Sequence, residues 1–479
     1  MSDSQPRFED LRIKAQALDA ADALRHTRDK FRIPTKADIG RNSLKRPVPL
    51  SQTATTSDND EITSCTYLCG NSLGLQPWRT EVRIKQLLET WATQGVQGHF
   101  KPLADSPLPT WVNADSWAAQ LMAPIVGANE TEVAVMQTLT ANLHLLMTAF
   151  YHPDPKGRHK IILEDKAFPS DHFAGWSQVR QHGLSPDTSI VTIKSLNSED
   201  SVLSTYDIES VITKHANSTA LLLLPGIQYY TGQLLDIQNI TALAHRHGIF
   251  VIWDLAHAVG NVPVSLHDWG VDAAAWCTYK YLNGGPGCIG GLFINSKYST
   301  VTTTLEDAIP EKGYGHRLAG WWGNDKSTRF NMETRFHPRA GAAGFQLSNP
   351  SMLDTTALCA SLEVIAEAGG IDVLYAKSRR LTAFLLDECL AAITPEVRHL
   401  FRCITPLDRG AQLSLRLVSG DLLGDVLTVL EEQGVVIDER KPDVIRVAPA
   451  PLYNTFVDCV NFAKAFEEAL LTADAASAA

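Results

Sequence analysis

No run of hydrophobic residues in this chain approaches a membrane span. The longest, such as residues 220–225, fall far below the roughly 18 to 20 needed, so no bilayer-crossing helix is expected. The N-terminal region also lacks an apolar core. Residues 1–30 carry six basic and six acidic side chains, which fits neither a secretory signal nor an acid-poor transit peptide. Positive charge is in deficit, with a formal net charge of −11. Nucleic acid and anionic membrane surfaces are therefore excluded as principal partners. The eight cysteines (Cys65, Cys69, Cys277, Cys288, Cys359, Cys389, Cys403 and Cys459) contain no CxxC pair, so no zinc site is expected. They are expected to be reduced thiols, as in a cytoplasmic enzyme. There is no internal repeat, and no low-complexity segment beyond the Ala-rich tail at 473–479.

What remains is ordinary in composition. With 479 residues, 44% apolar and 20% charged, the chain reads as a soluble globular protein too long for one simple core. Residues 7–32 have Leu11, Ile13, Ala17, Leu18, Ala21 and Leu24 spaced for one helix face. A Pro/Ser/Thr/Asp-rich loop follows at 47–64. From about 132 to 294 strand and helix signals alternate. Strands are expected at 160–164, 189–193, 220–224 and 249–254, and helices at 170–181, 208–215 and 237–247. Continuous aliphatic strands between helices predict an α/β fold with a mostly parallel central sheet covered on both faces. After 349 a long helical stretch (353–393) leads to strands at 412–417, 435–438 and 444–447 and helices at 421–433 and 456–471. These form a smaller α+β unit. The expected division is an N-terminal arm and segment at 1–100, a large domain at 101–345 and a C-terminal domain at 346–479.

One residue organises the chemistry. Asp272-Ala273-Ala274-Ala275-Trp276-Cys277-Thr278-Tyr279-Lys280 delivers a lysine from an apolar strand to a glycine-rich turn. A second strand ends at Asp254, with His257 three residues on. In parallel sheets, ligands sit at the carboxyl ends of the strands. An amine and a carboxylate there suit pyridoxal 5'-phosphate, the amine binding its aldehyde and the carboxylate its ring nitrogen. Gly285-Pro286-Gly287-Cys288-Ile289-Gly290 matches the dinucleotide pattern GxGxxG. The following Leu292-Phe293-Ile294 reads as a strand, however, so that fingerprint lacks its helix. Other candidates carry two readings each. Leu139-Thr140-Ala141-Asn142 enters a helix and suits a phosphate, or Thr140 is a plain cap. Phe168 could stack on a pyridine ring and Asp171 touch its substituents, or the segment is a cap with a packed aromatic. His257 lines the ring or satisfies a turn. Arg446 holds a substrate carboxylate, or makes a surface ion pair.

Taken in order, these strings closely resemble kynureninase of the eukaryotic type. They are Leu68-Cys69-Gly70-Asn71-Ser72-Leu73-Gly74-Leu75-Gln76-Pro77, Lys166-Ala167-Phe168-Pro169-Ser170-Asp171-His172 and Tyr230-Thr231-Gly232-Gln233. Asp254-Leu255-Ala256-His257-Ala258-Val259-Gly260-Asn261, His267-Asp268-Trp269-Gly270-Val271-Asp272 and Trp276-Cys277-Thr278-Tyr279-Lys280-Tyr281-Leu282-Asn283 follow. Gly320-Trp321-Trp322-Gly323, Leu347-Ser348-Asn349-Pro350 and Arg446-Val447-Ala448-Pro449 complete the set. The resemblance covers about residues 67–471. It implies an aspartate-aminotransferase-like (fold type I) enzyme, a cytoplasmic homodimer with sites at the subunit interface. It also implies pyridoxal phosphate held covalently on Lys280. The implied reaction is hydrolytic Cβ–Cγ cleavage of L-kynurenine and 3-hydroxy-L-kynurenine, in tryptophan catabolism and NAD biosynthesis.

By matching position, Leu139, Thr140, Phe168, Asp171, Asp254, His257 and Tyr279 are implied cofactor contacts. Trp321 and Asn349 are implied contacts across the dimer. Ser72, His99, Asn349 and Arg446 are implied to line the substrate pocket, with Arg446 on the α-carboxylate and His99 and Asn349 on the 3-hydroxyl. Lys280, Tyr279 and Asp254 are the implied catalytic groups, Tyr279 as proton donor or relay. Pro225 departs from the pattern, standing where members often carry serine. A proline has no donor, so weaker cofactor anchoring is expected there. A cysteine desulfurase of the same fold would need a mobile nucleophilic cysteine, and Cys277 and Cys288 lie on segments that read as ordered. A non-catalytic relative would be expected to lack Lys280, Asp254 or Arg446.

Overall fold

The computed structural model describes residues 4–44, 64–196, 199–302 and 313–478. The loop expected at 47–64 lies outside the described residues except for its last position. The chain divides into two compact units. One comprises Met1–Trp78, Val373–Thr405 and Ala411–Ala479, and the other Arg79–Asp372 with Pro406–Gly410. The boundaries expected at 100 and 345 are therefore displaced. Helix Met352–Glu367 packs on helix Ala114–Met122 within the larger unit. Gly369 and Gly370, both at positive φ, then interrupt what the helical pattern presents as one stretch, because only glycine takes this conformation without strain.

In the smaller unit, helix Ser4–Ala20 buries Phe8 and Ala15, with Leu11 and Leu18 packed beside them. Ile13, expected on the inner face, is exposed. The helix stops at Ala20 and a 3₁₀ turn, Arg25–Lys30, follows, so the expected helix to 32 is shorter. Strand β1 is Thr66–Tyr67.

The larger unit is built on a seven-stranded sheet. Its strands are β2 (Val133–Val135), β3 (Lys160–Glu164), β4 (Ile190–Ile193), β5 (Thr219–Pro225), β6 (Phe250–Asp254), β7 (Ala273–Trp276) and β8 (Gly291–Ile294). The order is β2-β8-β7-β6-β5-β3-β4. The pairs among β3, β4, β5, β6 and β7 are parallel, and β8 runs antiparallel to β7 and β2. The strands are aliphatic throughout because both faces are covered. Leu163, Leu221, Ile252, Ala275 and Leu292 join Leu143, Leu146 and Ala174 from covering helices in one core. Helix starts follow local chemistry. Ser204 and Asp207 form a capping box for Thr205–His215, and Pro169 opens Pro169–Gln181. Strand β8 after Gly290 rules out the dinucleotide fingerprint, as its missing helix implied.

The smaller unit's remaining strands are β9 (Phe401–Cys403), β10 (Leu413–Leu417), β11 (Val435–Val436), β12 (Asp438–Arg440) and β13 (Val444–Val447). The run expected at 435–438 is thus two separate strands. Strands β12-β13-β10-β9 form an antiparallel sheet, and β11 pairs in parallel with β1. Helices Leu422–Glu432 and Phe456–Ala478 supply Val426, Leu430, Phe462 and Phe466 to its core.

Candidate active site

Strand register brings the first candidates together. Asp254 ends β6 opposite Pro225 of β5 and Ala275 of β7. Strand β7 runs on from Trp276 to Lys280, whose turn is closed by Asn283 N–H to Lys280 O at 3.0 Å and Gly284 N–H to Thr278 O at 2.9 Å. Lys280 Nζ lies 2.8 Å from His257 Nε2, so His257 faces the lysine rather than a distant turn. Tyr279 is half-buried beside it, the Lys280 ammonium 5.8 Å from the Tyr279 ring centroid.

The carboxyl pair beneath is the electrostatic centre. Asp254 is 5% and Asp171 1% exposed. Burial pushes both above the ordinary aspartate range, Asp171 further because it lies against the Asp254 charge. The Ala256 N–H at 2.7 Å, the field of Lys280 and the contact with Asp171 pull Asp254 back down, whereas that same contact raises Asp171. A buried carboxyl pair at the carboxyl edge of a sheet is a binding place for a cationic ring nitrogen. Phe168 precedes the helix that carries Asp171. It is 45% exposed and lies edge-on to Tyr229 at 5.1 Å.

The phosphate candidate stands beside β7. Helix Leu139–Phe150 is capped at Thr138, not Thr140, so Leu139 and Thr140 lie in its first turn, where amide N–H groups have no intrahelical partner. A Cβ on Gly290 would stand 3.4 Å from Leu139 N and 2.8 Å from Trp276 O. Only a glycine leaves that space open between the helix start and the end of β7. Lysine, buried carboxylate pair and helix N-terminus are the three complements of an aldehyde, a protonated pyridine and a phosphate. The residues fit pyridoxal phosphate. At Pro225 the strand ends in a ring, and the following Gly226 N–H is spent on Asp254 O at 2.7 Å.

A second group forms around exposed Trp321, which donates to Arg329 O at 3.3 Å and meets Phe330 at 5.6 Å. Phe330 meets Phe100 at 5.5 Å, and His99 lies 5.9 Å from Phe100 and 5.1 Å from Trp111. Trp322 N–H donates to Leu347 O at 3.1 Å, which ties the Trp321 segment to the one ending in exposed Asn349. In the smaller unit Ser72 is half-buried, its N–H on Cys69 O at 3.0 Å. Arg446, 1% exposed, pairs with Asp438 across the β12–β13 register. The surface ion pair entertained for Arg446 is corrected to a buried one, because inward-facing residues of neighbouring strands meet there.

The motifs overlook Glu164 and Gln228. Gln228 donates to Glu164 Oε1 at 3.1 Å. Burial pushes the Glu164 carboxyl up to about 7. The signal available in the sequence is an acid closing an aliphatic strand.

Comparison with known proteins agrees with this constellation. The kynureninase C-terminal domain family matches residues 374–466, and the DegT/DnrJ/EryC1/StrS aminotransferase family matches 120–265. Kynureninase 2 of Neurospora crassa is 64% identical over 470 residues, covering 98% of each chain. The chain belongs to the kynureninase family. Kynureninase 1 of Chaetomium globosum is 63% identical, over 89% of this chain and 87% of that one. Among solved structures, a cysteine desulfurase from Thermococcus onnurineus NA1 has a TM-score of 0.67 at 15% identity, covering 85% of this chain and 95% of its own. A C-DES variant with glycine covalently linked to its PLP cofactor has a TM-score of 0.66 at 16% identity, covering 85% and 96%. This likeness shows the fold, that of fold type I pyridoxal phosphate enzymes. As a member of this family, the chain is a pyridoxal phosphate-dependent hydrolase of carbon–carbon bonds.

Proposed function

We propose that this chain cleaves the Cβ–Cγ bond of L-kynurenine and 3-hydroxy-L-kynurenine with water, yielding anthranilate or 3-hydroxyanthranilate and L-alanine, in tryptophan catabolism and pyridine nucleotide biosynthesis. The observation that carries this reading is the lysine over a buried carboxylate pair, in a chain 64% identical over 98% of its length to a kynureninase. Pyridoxal phosphate, when bound, withdraws electrons from the substrate's α-carbon. Lys280 would hold the cofactor through its amine and would be the base for the substrate's α-proton, and His257 Nε2 at 2.8 Å is placed to steady that amine. Asp254 holds the ring nitrogen protonated, and Asp171 holds Asp254 in place. Burial raises the Tyr279 phenol above its ordinary value, so it stays protonated at neutral pH and serves as donor.

Leu139 and Thr140 would hold the phosphate, and Phe168 would stack on the ring. Pro225 offers no hydroxyl, so anchoring there is weaker. Arg446 takes the substrate α-carboxylate and Ser72 lines the pocket. His99 and Asn349 accommodate the 3-hydroxyl. The exposed Trp321 and Asn349 suit contacts from one protomer of a homodimer to the site of its partner. Among the described residues no helix is long and apolar enough to cross a membrane, in keeping with a cytoplasmic location.

The fold likeness to cysteine desulfurases gives a second reading to test. Cys277 and Cys288 are buried, and burial raises both thiols, Cys288 to about 12. Neither is a thiolate nucleophile at neutral pH. Assaying one loaded preparation with kynurenine and with cysteine separates the readings. Anthranilate and alanine are expected, and sulfur release without kynurenine cleavage would reverse the assignment.

A further inference from the structure

Glu164 ends β3 and is 2% exposed. Oε1 accepts from Gln228 Nε2 at 3.1 Å, while Oε2 is buried without a hydrogen-bond partner. Gln228, 1% exposed, has every hydrogen-bonding position in use. Its oxygen accepts from Tyr230 N and Thr231 N, both at 2.7 Å, and from Thr231 Oγ1 at 3.1 Å. Backbone N–H groups only donate, so the amide orientation is set. The NH₂ must face Glu164 and Lys166 O, the latter also at 3.1 Å. One side chain thus joins the turn after β3 to the turn after β5. The first turn carries Phe168 and leads to Asp171, and the second carries Tyr229, edge-on to Phe168 at 5.1 Å.

We propose that Glu164 and Gln228 form a positioning clasp for the cofactor site, Gln228 holding the Tyr229–Tyr230 turn against Phe168 and Glu164 setting the proton count of the Asp171–Asp254 pair. This rests on the reading of the site as a pyridoxal phosphate site. Asp165 and Lys166 on its own turn act on the Glu164 charge, Glu164 acts on Asp171 of the next helix, and Asp171 and Lys280 act on Asp254. Three carboxyls in so dry a place cannot all ionise. Burial pushes the Glu164 carboxyl up to about 7, and a charge on it raises Asp171.

The test uses the loaded enzyme, with two readouts: the pH midpoint of the lysine-bound cofactor's visible absorption, and the cofactor dissociation constant. Glu164→Gln keeps an acceptor for Gln228 and removes the charge. A nearby cation then holds its proton less tightly, and the midpoint falls by about half a pH unit or more. Gln228→Ala raises the dissociation constant about tenfold, the effect of a lost buried hydrogen bond. An unmoved midpoint in Glu164→Gln, or unchanged affinity in Gln228→Ala, overturns the proposal. Should Glu164→Gln fail to fold, Glu164→Asp keeps the charge on a shorter reach. It must retain the wild-type midpoint with weaker binding, and a shifted midpoint there is equally fatal. Wild-type protein that takes up no cofactor defeats the functional reading and the clasp with it, whereas a loaded, active wild type with unmoved variants defeats the clasp alone.

Discussion

At the scale of single residues, chemistry here follows from what surrounds a group rather than from its type. Lys280 was legible because an apolar strand ends beside a glycine-rich turn, and Asp254 because its strand ends in the same way. Both lie at the sheet's carboxyl edge, and the strand rule that placed them needs only local sequence. The contacts that tune them were not legible. Gln228 meets Glu164 across 64 positions, and Asp171 in helix Pro169–Gln181 acts on Asp254 at the end of β6. Periodicity carries no trace of either. Arg446 illustrates the same limit: its partner Asp438 is only eight residues away, yet the pairing depends on the register of β12 against β13. On the proposed role, Arg446→Gln raises KM for kynurenine about 10- to 100-fold, the loss of a charged hydrogen-bonded pair, with a smaller change in kcat. Steady-state kinetics checks this, and an unchanged KM removes Arg446 from the substrate site.

At the scale of elements, the site depends on how closely helix and strand approach. Helix Leu139–Phe150 starts beside the end of β7 because Gly290 has no Cβ. Gly290→Ala forces that carbon within 2.8 Å of Trp276 O, which pushes the helix start away. Cofactor affinity should fall about tenfold or more while the secondary structure is retained, since one displaced phosphate hydrogen bond already accounts for that factor. Equilibrium binding monitored by cofactor absorbance checks it. Element types were legible in the larger unit because buried strands are continuous aliphatic runs and the helices between them are amphipathic. They were less so where pattern and backbone diverge, as at Gly369–Gly370. The N-terminal helix diverged too, its inner face following Phe8, Leu11, Ala15 and Leu18.

For the whole molecule, two buried carboxyls bias stability with pH in opposite directions. Asp272 accepts from His245 Nε2, Tyr298 OH and Lys297 Nζ, each at 2.8 Å, and from Val251 N–H at 2.9 Å, and these hold it below the ordinary aspartate range. A lowered carboxyl contributes stability present above the unfolded value of about 3.9 and lost as pH falls through the folded one. Glu164 is raised, from 4.5 to about 7. Its contribution is present below the unfolded value and is lost as pH rises through about 7. Asp272→Asn should therefore cost about 2 kcal/mol or more at neutral pH, because buried donors lose their acceptor, and flatten the acid limb of a Tm-against-pH curve. Thermal unfolding across pH measures both effects, and an acid limb unchanged in Asp272→Asn would remove Asp272 as its cause.

The central claim is that Lys280 carries the cofactor and begins cleavage of kynurenine. Its most direct test is the turnover of L-kynurenine to anthranilate and alanine by the loaded wild type beside Lys280→Ala. The wild type is expected to turn over, and the variant to lose activity by about a thousandfold or more, as when a covalent catalytic group is removed. Comparable turnover by a folded Lys280→Ala protein would contradict the account.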